Sequence, residues 1–127
     1  MEKAIIILGH GSRQADADST IRRIAADIRS IGGFEIVAHA FLQHTRPGPE
    51  EALEQCVKEG ADMIVIVPFF LQPGGHVSKD VPALLQKARG SYPRVAIHVT
   101  EFVGSHPLMA RIVATSPRKV RSSNPEG

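Results

Sequence analysis

A chain of 127 residues has room for one ordinary domain with a core of its own. Its apolar fraction of 43% and charged fraction of 22% exclude global disorder, and a net charge of +2 gives no basic stripe for nucleic acid. A single cysteine excludes an internal disulfide, and no apolar run nears the ~20 residues of a membrane span.

No basic leader with a cleavable apolar segment is visible, so a cytoplasmic protein is expected. Lys3 to Gly9 is apolar and β-branched, which predicts a strand buried on both faces. It stops at Gly9-His10-Gly11-Ser12-Arg13. A helix follows from near Asp16 to Ser19, either of them able to cap it, carries Ile21, Ile24, Ala25, Ile28 and Ile31 on one face, and ends at Gly32-Gly33. Phe34 to Leu42 predicts a second strand, with Glu35 and His39 on its less buried positions.

After the loop from Gln43 to Gly48, Pro49 suits a first helical position, and Glu50 and Glu51 suit the positive end of the helix. Ala52, Leu53, Cys56 and Val57 give that helix its core face, and Gly60 closes it. Met63 to Val67 is a third buried strand. The loop from Pro68 to Pro82 comes next, and Val81, Leu84, Leu85 and Ala88 mark a helix after Asp80 that ends at Gly90. Val95 to Val99 is a fourth strand, and a last helix contains Leu108, Met109, Ile112 and Val113. Residues 1–115 are thus the folded domain, and 116–127, polar with two prolines, read as a flexible tail.

Alternating strands and helices with short connections imply one parallel sheet covered on both faces. The expected fold is flavodoxin-like, α/β, with strand order 2-1-3-4. In such a sheet ligands bind where the strands end. His10, Gln43, His44, His76, Glu101 and His106 all follow strand carboxyl ends. His10 and His76 follow what should be adjacent strands, ~4.8 Å apart, so both rings can face one open site. Two imidazoles suit a borderline divalent ion, yet are too few for a closed structural site. Gly74 and Gly75 permit backbone angles or close approaches beside His76. The Gly-His-Gly triplet reads equally as a turn. A phosphoryl-transfer enzyme using His10 lacks the arginine of an Arg-His-Gly signature, since Gly9 stands there. His39 and His98 lie within strands and read as structural.

Leu8-Gly9-His10-Gly11-Ser12-Arg13, Ala40-Phe41-Leu42-Gln43, Pro47-Gly48-Pro49-Glu50-Glu51-Ala52-Leu53, Val67-Pro68-Phe69-Phe70-Leu71, Gly74-Gly75-His76-Val77, Asp80-Val81-Pro82 and Gly104-Ser105-His106-Pro107 together resemble the short, CbiX-type sirohydrochlorin chelatases. The resemblance runs from about Lys3 to about Val113. It implies ATP-independent insertion of a divalent metal, Co²⁺ first and Ni²⁺ or Fe²⁺ next, into sirohydrochlorin by a homodimer. The metal is a substrate, and no permanently bound cofactor is implied. His10 and His76 map onto the metal-binding, catalytic histidines. Many relatives carry glutamate where this chain has Gln43, and glutamine cannot act as a base. Glu101 is then a candidate accessory acid. Arg13, Arg46 and Lys79 are candidates for the substrate's carboxylates, and Ser12, Gln43, Phe70, Gly74 and Gly75 for further contact with it. A metal or tetrapyrrole carrier on the same fold is the alternative to an enzyme.

Overall fold

The computed structural model describes residues 1–14, 18–72 and 74–119. Four strands run parallel: β1 (Lys3–Gly9), β2 (Ile36–Phe41), β3 (Met63–Pro68) and β4 (Ala96–Val99), in the order β2-β1-β3-β4. Ala4 pairs with Ile36 on one side and with Ile64 on the other, and Ile64 pairs with Ile97. The expected sheet order is the one observed.

Side-chain alternation sorts the core into two layers. Ala4, Ile6, Leu8, Ile64, Ile66 and Ile97 point to one face. There they meet Leu53 and Cys56 of helix α2 (Pro49–Lys58) and Val77, Val81 and Ala88 of helix α3 (Gly75–Ser91). Each Ile, Leu or Val side chain among them, fully buried, stabilises the fold by about 1.5–3 kcal/mol. On the other face Ile7 packs with Phe41 and with Ile21 and Ala25 of helix α1 (Ser19–Ile31).

That second face is covered only in part. The last helix, α4 (Met109–Thr115), makes its contacts mainly with the two short 3-10 turns beside it, Val103–Ser105 and Ser116–Lys119. Leu108, Ile112 and Val113, apolar residues of the expected last helix, are 54%, 55% and 64% exposed. Val65 and Val67 of β3 are only half-buried. Apolar spacing gave the helix, but spacing cannot say what a helix packs on. Ser116–Lys119 belongs to the 3-10 turn after α4, and the rest of the proposed tail, 120–127, lies outside the described residues.

Helix α3 begins at Gly75, six residues before the expected start after Asp80, and contains Pro82. Gly74 is extended and caps the helix start, and its carbonyl accepts from the Ser78 amide at 3.1 Å and the Ser78 hydroxyl at 2.9 Å. Pro82 removes one N–H from the helical ladder. Pro82 is exposed, so water reaches the carbonyl left without that donor. Helix α2 starts at Pro49 as its sequence predicts, with the Glu51 carboxylate accepting the Gly48 N–H at 3.2 Å. Helix α1 starts at Ser19, with Asp18 in the cap position but making no capping bond; Asp16 lies outside the described residues. No described helix is long and apolar enough to cross a membrane.

Candidate functional site

The carboxyl ends of the four strands open onto one rim. Gly9-His10-Gly11-Ser12 leaves β1 beside Gln43-His44-Thr45, which leaves β2. Backbone bonds carry the strand pairing past the sheet: Leu42 N–H donates to the Gly9 carbonyl at 2.9 Å, and Gln43 N–H to the His10 carbonyl at 3.1 Å. Gly11 makes this approach possible. It holds φ at +96°, and a Cβ there would lie 1.7 Å from the Gln43 carbonyl oxygen. On the far side Gly104 N–H donates to the Phe70 carbonyl at 2.9 Å, and a Cβ on Gly104 would lie 1.9 Å from the Leu71 carbonyl oxygen.

His10 is exposed between these loops. The Gln43 amide nitrogen lies 3.5 Å from its Nδ1, and the Phe70 ring meets it edge-on at 6.4 Å between centroids. A cavity of about 310 Å³ opens here, lined by His10, Leu42, Gln43, Val77 and Asp80. His76 is placed by its backbone alone, as the second residue of α3, one turn before Asp80. Asp80 is the carboxylate that lines this cavity. Its place there follows from the early start of α3, which turns a presumed loop residue into one fixed on a helix.

The rim continues as a groove of about 270 Å³ that shares Val77 with the first cavity and includes Phe70, Ser78, Val81 and Glu101. It leads to a larger cavity of about 460 Å³ near the end of β4, with Val67, Phe102, Val103, His106 and Pro107 in its wall. The largest space is therefore apolar and stands apart from His10. Glu101 lines these two spaces and not the His10 cavity. His106 Nδ1 accepts the Leu108 N–H at 3.0 Å, so its neutral ring carries the proton on Nε2.

The other candidates are scattered along the rim. Arg13 and Lys79 are exposed. Arg46 is turned to Glu51, with its Nη2 at 2.5 Å and its Nε at 3.2 Å from the two carboxylate oxygens. That hydrogen bond raises the guanidinium pKa and lowers the Glu51 carboxyl pKa, which the Gly48 N–H lowers further. The Ser12 hydroxyl accepts the Gln14 N–H at 3.1 Å. Gly74 has an ordinary extended backbone, and a Cβ on Gly74 or Gly75 would meet nothing within 4 Å. The glycines the rim needs are Gly11 and Gly104. Their need is set by a neighbouring loop, so nothing next to them in sequence signals it. His39 packs edge-on to Phe41 at 5.7 Å, and its pKa is lowered by burial first and then by Arg22 and Arg29. His98 is exposed on β4.

Among the described residues no group of three or more His, Cys, Asp or Glu is arranged to hold a metal ion.

The CbiX family model matches residues 4–119. The chain is 31% identical over 109 residues to the chloroplastic sirohydrochlorin ferrochelatase of Arabidopsis thaliana, covering 86% of this chain and 48% of the relative. It is 35% identical over 82 residues to the sirohydrochlorin cobaltochelatase of Methanopyrus kandleri, covering 65% of this chain and 57% of the relative. The sirohydrochlorin chelatase SirB of Bacillus subtilis subspecies spizizenii, solved in complex with cobalt, superposes with a TM-score of 0.82 at 27% identity, over 94% of this chain and 51% of that one. The chain spans about half the length of these relatives.

Proposed function

The chain belongs to the CbiX family of sirohydrochlorin chelatases, and from that premise we propose that it inserts a divalent metal ion into sirohydrochlorin without ATP. Co²⁺ is the proposed metal, with Ni²⁺ and Fe²⁺ next, because imidazole suits all three and relatives of both cobalt and iron specificity match. The observation that carries the reading is His10, exposed at the rim against Gln43 and sharing a cavity with Asp80.

Metal insertion requires two pyrrole N–H protons to leave the macrocycle while the ion sheds its earlier ligands. In the proposed mechanism His10 and His76 hold the entering ion, one on each side of the β1–β3 boundary. A ring that has passed its ion to the macrocycle is free to accept one of the protons, since imidazole titrates near cellular pH. Gln43 suits this alternation. Its amide donates to Nδ1 through nitrogen, and a half-turn of the amide presents the carbonyl oxygen to an Nδ1–H instead. That second state frees the lone pair of Nε2 for a metal. Gln43 itself takes no proton, and Asp80 is the proposed acceptor for the second one. The apolar groove past Phe70 offers a floor for a flat macrocycle, and Arg13 and Lys79 are proposed to meet its carboxylates.

The proposed assembly is a cytoplasmic homodimer. Leu108, Ile112 and Val113 on α4 and the half-covered Val65 and Val67 leave apolar surface that a second copy would bury. Relatives about twice this length are consistent with a second unit completing the fold.

Anaerobic absorption spectroscopy of sirohydrochlorin with each metal, at substoichiometric protein, tests the reading. Multiple turnovers above the uncatalysed rate, lost in both His10→Ala and His76→Ala, are expected. Stoichiometric binding without turnover would make the chain a carrier instead. Turnover that survives both substitutions would move the metal site elsewhere on the rim.

A further inference from the structure

Asp18 is the charged residue buried among the described residues, at 5% exposure. It stands just before α1, where a carboxylate ordinarily caps the helix, yet it makes no capping bond. Its Oδ2 lies instead 2.6 Å from Thr45 Oγ1, on a loop 27 residues away. The same hydroxyl lies 3.0 Å from the Ser12 carbonyl oxygen. Burying a carboxylate is costly unless it gains a partner, and this one spends its bond on a distant loop rather than on its own helix.

The location explains the arrangement. Ser12 comes two residues after His10, and Thr45 two residues after Gln43. The backbone bonds from Leu42 to Gly9 and from Gln43 to His10 hold the two loops together at the strand ends. The Thr45 hydroxyl, its one proton shared between the Ser12 carbonyl and the Asp18 carboxylate, holds them together again further out. Between the two ties sits His44, the non-glycine residue with positive φ (+66°) among the described residues. Thr45 N–H closes that turn onto the Gln43 carbonyl at 2.8 Å. His10 and the Gln43 side chain therefore project from a loop pair clamped at both ends, and the outer clamp is anchored to the start of α1 through Asp18.

We propose that Asp18 and Thr45 are positioning residues for the metal centre, acting through His10 and Gln43 and touching neither metal nor macrocycle. This rests on the chelatase reading for its catalytic consequence, though the geometry it asserts does not. With the outer clamp gone, the inner bonds still pair the loops. The His10 ring, however, is no longer held at one angle to the Gln43 amide. The proposal predicts a loss in turnover rather than in macrocycle affinity, because the groove past Phe70 is built from other loops.

Thr45→Val keeps the shape of the side chain and removes the hydroxyl, while Thr45→Ser keeps the hydroxyl. Thr45→Val is expected to lower kcat about tenfold, with KM for sirohydrochlorin changed by less than about twofold, and Thr45→Ser to restore kcat. A second readout needs no substrate. At fixed pH, the Cε1–H resonance of the His10 ring is expected to shift in Thr45→Val and in Asp18→Ala and to stay in place in Thr45→Ser. Asp18→Ala removes the acceptor oxygens and leaves Thr45 in place, so it carries the comparison if Thr45→Val does not fold. Wild-type kcat in a folded Thr45→Val protein, or an unmoved His10 resonance, would overturn the proposal. A wild-type chain that inserts no metal would refute the chelatase reading and leave the positioning claim to the ring resonance alone.

Discussion

Gly11 offers a test of how the site is built, because its substitution strains one contact whose geometry is known. Alanine at Gly11 has to hold φ near +96°, and its Cβ has to share space with the Gln43 carbonyl oxygen 1.7 Å away. The left-handed backbone costs about 1–2 kcal/mol. The clash is with backbone, so the β2 loop itself must withdraw. That breaks the two bonds from Leu42 to Gly9 and from Gln43 to His10, at about 1 kcal/mol each. The expected loss is therefore about 3–4 kcal/mol, or a melting temperature lower by roughly 10–15 °C for a domain of this size. Gly60→Ala is the control, since Gly60 also sits at φ +96° but a Cβ there meets nothing within 4 Å. Urea titrations of the two variants should give unfolding free energies that differ by about 2 kcal/mol at an unchanged slope, the steric part alone. Turnover should fall in Gly11→Ala and persist in Gly60→Ala. Equal destabilisation by both would show that the loops are not held against each other as described.

Three further outcomes are expected. Cys56 is buried, which first, with Glu59 adding, pushes its thiol up to about 11; it should resist a disulfide reagent in the native state and react once the chain is unfolded in urea, and rapid native reaction would contradict its burial. His39 has a folded pKa below its ordinary 6.5, so the unfolded chain binds more protons between the two values. Its contribution to stability is present above 6.5 and is lost as pH falls through that window; His39→Gln should flatten the fall in urea midpoint, and an unchanged slope would assign the effect to another group. Arg46, engaged by Glu51, should be dispensable to substrate binding, so Arg46→Ala is expected to leave KM within about twofold, whereas a rise of ~tenfold would mean that the ion pair opens for the macrocycle.

Much of the frame was legible in the sequence because it rests on local pattern. The β-branched runs after Lys3 and Met63 announce buried parallel strands, and a strand that ends in glycine and histidine announces a rim residue. What escaped depends on contacts between segments distant in the chain. Pro82 and the two glycines before His76 suggested a long loop, whereas the helix tolerates an exposed proline and starts at Gly75, which places Asp80 in the His10 cavity. Asp18 draws no notice in the sequence, and its role shows only when Thr45 is seen to hold it. Arg46 reads as a free cation until Glu51, five residues on, turns to meet it. The apolar spacing of α4 predicted a helix, and nothing within its own sequence reveals that Leu108, Ile112 and Val113 stand exposed.

The bonds that extend strand pairing beyond the sheet divide the rim into two plates. One joins the loops after β1 and β2 through His10 and Gln43, and the other joins the loops after β3 and β4 through Phe70 and Gly104. Phe69 N–H to the Leu8 carbonyl, at 2.8 Å, is the tie that crosses the boundary at the level of the strand ends. His10 rises from one plate and His76 from the other. The span between the two proposed metal histidines is thus tied to the pairing of β1 with β3, whose Leu8 and Ile66 are buried. Residues that tune the bite on an entering ion are then to be sought in the core beneath that seam, at Leu8 and Ile66, as much as among the side chains that face the solvent.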